Sequence, residues 1–298
     1  MRVMFDEVRN NNLKSLLLVS LFILIVGLLG AVIGLVYDSL AFGISVAVIF
    51  SLIYSMIGFY SGQDMILGMT GAREVTKKEF PYLFHTTEGL AVAASIPTPK
   101  AYVIDDSALN AFATGRDPEH ASITVTTGLL KTMDRQELEG VIAHEMSHVK
   151  NYDIRFMMLT VVLVGIVTLL SDFLLRSFLW GRGRSREKGN QVTIILIVLG
   201  FVLAILTPII GHLIKLAISR KREFMADAGG AILTRYPPGL ASALKKIAKD
   251  PDPLVDRANR ATAHLFISTP FRDNKGLITN LFSTHPPIQE RIKRLEEM

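Results

Sequence analysis

The chain has no cysteine among its 298 residues and a single tryptophan. Without a thiol there is no disulfide framework, no Cys-ligated zinc ribbon, no iron–sulfur centre and no thiol nucleophile. That lack fits a reducing compartment without requiring one. Charge is sparse as well, 20% of residues against 50% apolar, which excludes a disordered or collagen-like chain. The net charge of +5 is local: Arg176, Arg182, Arg184, Arg186 and Lys188 stand against Glu187 in one short stretch. A nucleic-acid surface needs basic residues spread along a face, so no nucleic-acid partner is expected.

In place of charge there are long apolar runs. Residues 15–37 and 39–63 hold 23 and 25 residues without a charge, with Asp38 between them. About 20 apolar residues cross the hydrocarbon core of a bilayer, so a membrane hairpin is expected in 1–63, with spans at about 15–37 and 39–61. Both runs are too long for the apolar region of a signal peptide. A second hairpin is expected in 156–218, with spans at about 156–176 and 191–214. Asp172, Pro208 and His212 interrupt it, and buried helices of a soluble protein are the alternative there. Arg2, Arg9 and Lys14 precede the first span and Arg73, Lys77 and Lys78 follow the second. Basic flanks favour the cytoplasmic side, which puts the N-terminus and the following polar region there. The basic loop at 176–188 would then lie outside, unless the second pair enters the bilayer without crossing it.

Two polar blocks remain, 64–155 and 219–298. Between Lys100 and Leu130, short β-branched or small-residue runs at 101–104, 110–114 and 122–127, separated by turn signals such as Gly115-Arg116-Asp117-Pro118, read as strands. Asp134 with Glu137 three residues on forms a capping box that opens a helix through Val149. The segments 238–249 and 288–297 read as amphipathic helices.

The capped helix carries His144-Glu145-Met146-Ser147-His148. Histidines at i and i+4 lie on one face, so both imidazoles can reach one metal ion, with Glu145 close by without being a ligand. This suits zinc-assisted hydrolysis, in which a carboxylate takes the proton of the attacking water. The bland alternative is a helix with two solvated histidines. A catalytic zinc needs a third protein ligand. Glu223 and Asp227, again at i and i+4, are candidates: one to bind metal, the other to hold a ligating imidazole. Salt bridges to Arg220, Lys221 and Arg222 are the alternative. His148 precedes the second apolar pair and Glu223 follows it, so two crossings would keep them on one membrane side.

These residues, with Ser283-Thr284-His285-Pro286-Pro287 and Arg291-Ile292 in the same order, resemble the HtpX family of membrane zinc metallopeptidases, which is related to CAAX-type prenyl endopeptidases. The resemblance runs from the first span to the last helix. It implies an α+β, mostly helical membrane protein: a gluzincin-type domain with a small antiparallel sheet, carried by four membrane helices in two hairpins. It further implies one Zn2+ per subunit held by His144, His148 and Glu223, with Glu145 as general base and Asp227 orienting a ligating histidine. Asn110, Ala111, Phe112 and Ala113 resemble the family's edge strand, where an extended peptide docks by strand addition; read alone they are an ordinary strand. His285, stiffened by Pro286 and Pro287, is a candidate oxyanion donor or else a surface residue, and Arg291 is a candidate partner of Asp227. The expected activity is endopeptidase cleavage of misfolded or damaged membrane proteins at the cytoplasmic face of the cell membrane. A narrow-specificity processing peptidase of prenyl-protein type and a non-catalytic zinc-binding membrane scaffold are the rivals. His85, His120, His212 and His264 are left to structural or surface roles.

Overall fold

A computed structural model describes residues 2–36, 38–163, 165–166, 220–250, 262, 265–268 and 286–298. Two long helices open the chain, α1 (Arg2–Val36) and α2 (Leu40–Thr70). Within them Val8–Ala31 and Leu40–Thr70 are long and apolar enough to cross a membrane. Their outward side chains agree: Leu17, Leu24, Leu28, Phe42, Ile49 and Ile53 are all exposed, an apolar surface suited to lipid rather than water.

The hairpin closes on small residues. Asp38 takes a left-handed conformation (φ 54°), and the Ser39 N–H returns to the Gly34 carbonyl at 2.8 Å. A Cβ at Gly43 would run into the backbone of both Gly30 and Gly34. The two helices therefore meet backbone to backbone, as small residues allow in membranes. Gly43→Val is expected to force them apart and to cost about 1–3 kcal/mol, read as a lower melting temperature of the detergent-solubilised protein. An unchanged midpoint would mean that the contact yields freely.

Beyond α2 come β1 (Arg73–Glu74), α3 (Pro81–Ala94), β2 (Lys100–Ile104), β3 (Ala111–Gly115) and β4 (Ala121–Thr126). The sheet order is β1-β2-β4-β3. The pairs β1/β2 and β3/β4 are antiparallel, whereas β2 and β4 run parallel. The sheet is thus mixed, and the expected antiparallel sheet is corrected. The reason lies in the crossover from β2. The Thr126 hydroxyl donates to the Ala108 carbonyl (2.5 Å) and accepts the Asn110 N–H (3.1 Å). That gathers the 105–110 loop around the end of β4 and leaves β3 outside it, at the edge. Thr126 also caps the short helix α4 (Thr127–Thr132).

Next follows α5 (Arg135–Lys150), with both bonds of the Asp134–Glu137 capping box in place at 2.9 Å. The Glu137 carboxylate also accepts from Ser242 (2.7 Å) and Lys246 (2.5 Å). Those bonds tie α5 to a later helix, α7 (Pro237–Ala248), which follows α6 (Arg220–Thr234); α8 (Ile288–Glu296) ends the fold. Every residue of α5 from Gly140 to Val149 is buried, so this is the central helix.

The described residues form two apolar cores, and α5 belongs to the first. One gathers Val103, Ile123, Leu138, Ile142, Leu244 and Ile292; the other joins Leu18 and Phe22 of α1 and Ile66 of α2 to Phe112, Phe156 and Phe266. Strand β3 lies between them. By the two-residue period of a strand, Ala111 and Ala113 face the first core and Phe112 the second. Of the expected second membrane hairpin, 156–163 is helical and buried. It packs where Gly58 and Gly62 of α2 leave room for Val162 and Met158. The remainder of both its spans, and the basic loop, lie outside the described residues save 165–166.

Candidate metal centre

His144 and His148 stand one turn apart on α5, their rings perpendicular with centroids 4.9 Å apart. Facing them is α6. It can come close because Gly229 and Gly230 have no side chain: a Cβ on Gly230 would lie 3.0 Å from the backbone nitrogen of His144. This proximity brings Glu223, one turn before Asp227, to both rings. The Glu223 carboxylate is 3.8 Å from His144 Nε2 and 3.7 Å from His148 Nε2. One ligand atom from each of the three residues lies within 4.8 Å of the others. Two donors on a tetrahedral zinc stand roughly 3.4 Å apart, given bonds of about 2.0–2.1 Å. The two histidine–carboxylate distances exceed that by a few tenths of an ångström, and no pair of the three exceeds 4.8 Å, so these side chains fit a metal ion with a small inward adjustment.

Each imidazole is turned inward from behind. His144 Nδ1 meets the Asp227 carboxylate at 3.0 Å, and His148 Nδ1 meets Asp153 at 3.0 Å. A carboxylate at Nδ1 calls for a proton there, which leaves the Nε2 lone pair, the one a metal would take, on the side of Glu223. Asp227 is in turn gripped by Arg291 through a two-bond fork, Nε at 2.9 Å and Nη2 at 2.7 Å. The pairing expected between these two residues is therefore present. His144, Glu145, His148, Asp153, Glu223, Asp227 and Arg291 are all buried.

Burial shapes the ionisation of the site. It pushes the Glu145 carboxyl up to about 7, with the Glu223 charge adding to the rise and His148, the Ala113 N–H and Arg291 opposing it. It pulls His144 down to about 4, and Arg291 pulls the same way. For His148 burial also pulls down, but the Asp153 hydrogen bond and the Glu223 charge prevail and raise it to about 9. For Asp227 burial pushes up, yet Arg291 and His144 hold the carboxyl at about 2. A cation that binds the imidazole nitrogens competes with the proton of His148.

Strand β3 reaches the site at its outer edge. The Ala113 N–H donates to Glu145. The Ala111 carbonyl accepts the Ile267 N–H at 2.9 Å, and the Asn110 amide binds the Ser268 backbone, its nitrogen 3.1 Å from the carbonyl. Phe112 points away, edge-on to Phe266. His285 lies outside the described residues, as do His212 and His264. His85 and His120 are exposed. Sequence reasoning missed Asp153 and its neighbour Asn11, and did not place Arg222 beside Asp153. One signal was available: a ligating histidine wants a carboxylate behind it, and Asp153 is the first acidic residue after His148.

Residues 77–298 match peptidase family M48. The protease HtpX homologue of Dictyoglomus thermophilum is 47% identical over 294 residues, 99% of this chain and 94% of that protein. Those of Ligilactobacillus salivarius and Tropheryma whipplei are 39% and 43% identical, covering 99% of this chain and 100% and 99% of theirs. The crystal structure of Ste24p from S. mikatae is a fainter likeness, 19% identical at a TM-score of 0.49, covering 98% of this chain and 67% of that one. With a family match over most of its length and relatives this similar from end to end, the chain belongs to peptidase family M48, among the HtpX-type proteases.

Proposed function

We propose that this chain is a zinc endopeptidase of the cell membrane, with its site at the cytoplasmic face, acting on misfolded or damaged membrane proteins. The observation that carries the reading is the convergence of His144 Nε2, His148 Nε2 and the Glu223 carboxylate, each imidazole aimed by an aspartate behind it. In this reading those three side chains hold one Zn2+, for which imidazole and carboxylate donors are suited. When bound, the ion acidifies a water and polarises the scissile carbonyl. Glu145 takes the proton of the attacking water and passes it to the leaving nitrogen. A carboxyl pushed up to about 7 can serve as acceptor and then donor near neutral pH.

The outward edge of β3 supports docking by strand addition, in which backbone groups carry the recognition and little side-chain preference is needed. A substrate strand that used the Ala111 carbonyl would have to displace Ile267 from it. Placement supports membrane substrates. The end of α1 that holds Arg9 and Lys14 also touches the site through Asn11, and basic helix ends favour the cytoplasmic side.

Purified in detergent, the protein is expected to bind zinc and to cut casein at scattered sites. Phenanthroline should stop the cleavage and added Zn2+ restore it. Casein left whole by the zinc-loaded protein would sink the reading. A single cut near the C-terminus of a substrate would move it towards a processing peptidase of prenyl-protein type.

A further inference from the structure

The first membrane helix reaches into the metal centre. The Asn11 side-chain nitrogen donates to the Asp153 carboxylate at 2.8 Å and to the Asn151 carbonyl at 2.9 Å. Both partners only accept, so the amide can face them in one orientation alone. The other oxygen of Asp153 lies 3.0 Å from His148 Nδ1. Arg222 stands 3.6 Å from the same carboxylate. Asn11 is 1% exposed and Asp153 3%, so bulk water does not reach either. The backbone is bent to make this contact. Tyr152 takes φ 60°, which turns the chain after α5 and brings Asp153 back beneath the histidine. Beyond Asn11 the helix is anchored by packing: Leu18 and Phe22 lie in one core with Phe156 and Met157.

We propose that Asn11 and Asp153 are positioning residues for His148, and that through them α1 sets the geometry of the metal centre. This rests on the reading of His148 as a metal ligand. Asp153 holds the Nδ1 proton and thereby the angle of the ring, and Asn11 holds the carboxylate. Loss of either lets the imidazole swing away from Glu223, so the fault appears in metal binding before it appears in catalysis.

The test is Zn2+ affinity of the full-length protein in detergent, by chelator competition, together with the absorption spectrum of the Co2+-loaded form. Asp153→Ala is expected to weaken Zn2+ binding about 10–100-fold, the usual effect of removing such a partner. Asn11→Ala should weaken it by less, and Asp153→Asn by less than Asp153→Ala, because an amide oxygen still accepts from Nδ1. The Co2+ bands should shift in the same order, which a contact that served stability alone would not cause. Should Asp153→Ala fail to fold, Asn11→Ala and Asp153→Asn decide on the same readout. Affinity within twofold of wild type in these variants, with His148→Ala losing the metal, overturns the proposal. Wild-type affinity in His148→Ala as well would instead overturn the ligand assignment beneath it.

Discussion

Glu145→Gln is expected to lower kcat/KM for casein by about 10^2–10^4-fold while leaving metal content and melting temperature at or above the wild-type values. Glu145 is one residue round the helix from His144 and is not among the three side chains whose donor atoms converge, so metal binding does not depend on it. Glutamine has the same shape, and its amide oxygen can still accept the Ala113 N–H that Glu145 now accepts. It cannot take a proton from water. Stability should not suffer, because burial already disfavours the charged carboxylate, as its rise to about 7 records. Zinc analysis, thermal unfolding and casein turnover on one preparation check all three statements. Activity retained in Glu145→Gln would remove the general base from the mechanism, whatever the metal does.

The parts of this site that can be read from sequence are those whose logic is local. The capping box Asp134–Glu137 sets the start of α5, and the spacing of four puts His144 and His148 on one face. The same spacing aligns Glu223 with Asp227, and Arg291 is the sort of buried cation that such a carboxylate requires. Asp153 is different. It lies five residues past His148, beyond the end of α5, and comes back to the ring only because Tyr152 adopts a left-handed conformation that tyrosine does not announce. Its second partner, Asn11, is 142 residues away in a helix whose composition says only that it suits lipid. The strand order is hidden for a similar reason. Three short strands in a row carry no sign of their order, and the Thr126 hydroxyl binds the crossover loop beside the inner strand β4. The contact of Ile267 with the edge of β3 joins segments more than 150 residues apart. Burial and tertiary pairing decide each of these, and neither leaves a periodic trace in the chain.

Arg291→Met is expected to be the most damaging substitution to stability, at about 3–5 kcal/mol, and to weaken metal binding along with it. Arg291 is 1% exposed and forks onto Asp227 while its remaining nitrogen donates to the Ile267 carbonyl at 3.0 Å. It also stands 3.7 Å from Glu223. One guanidinium thus offsets the charge of a cluster of buried carboxylates and fastens the segment lying on β3. Methionine fills much of the space and supplies none of the donors, so Asp227 is left buried with its charge uncompensated and His144 loses a firm support. Arg291→Lys should recover only part of the loss, since an ammonium cannot reproduce the planar two-bond fork. Pairing Arg291→Met with Asp227→Leu should recover stability, because breaking a buried ion pair costs more than replacing both partners with apolar groups. That double variant should still bind metal weakly, for want of a carboxylate behind His144. Thermal unfolding and Zn2+ titration of the three variants check this. A wild-type melting temperature in Arg291→Met would mean that the pair, buried as it is, does not hold the site together.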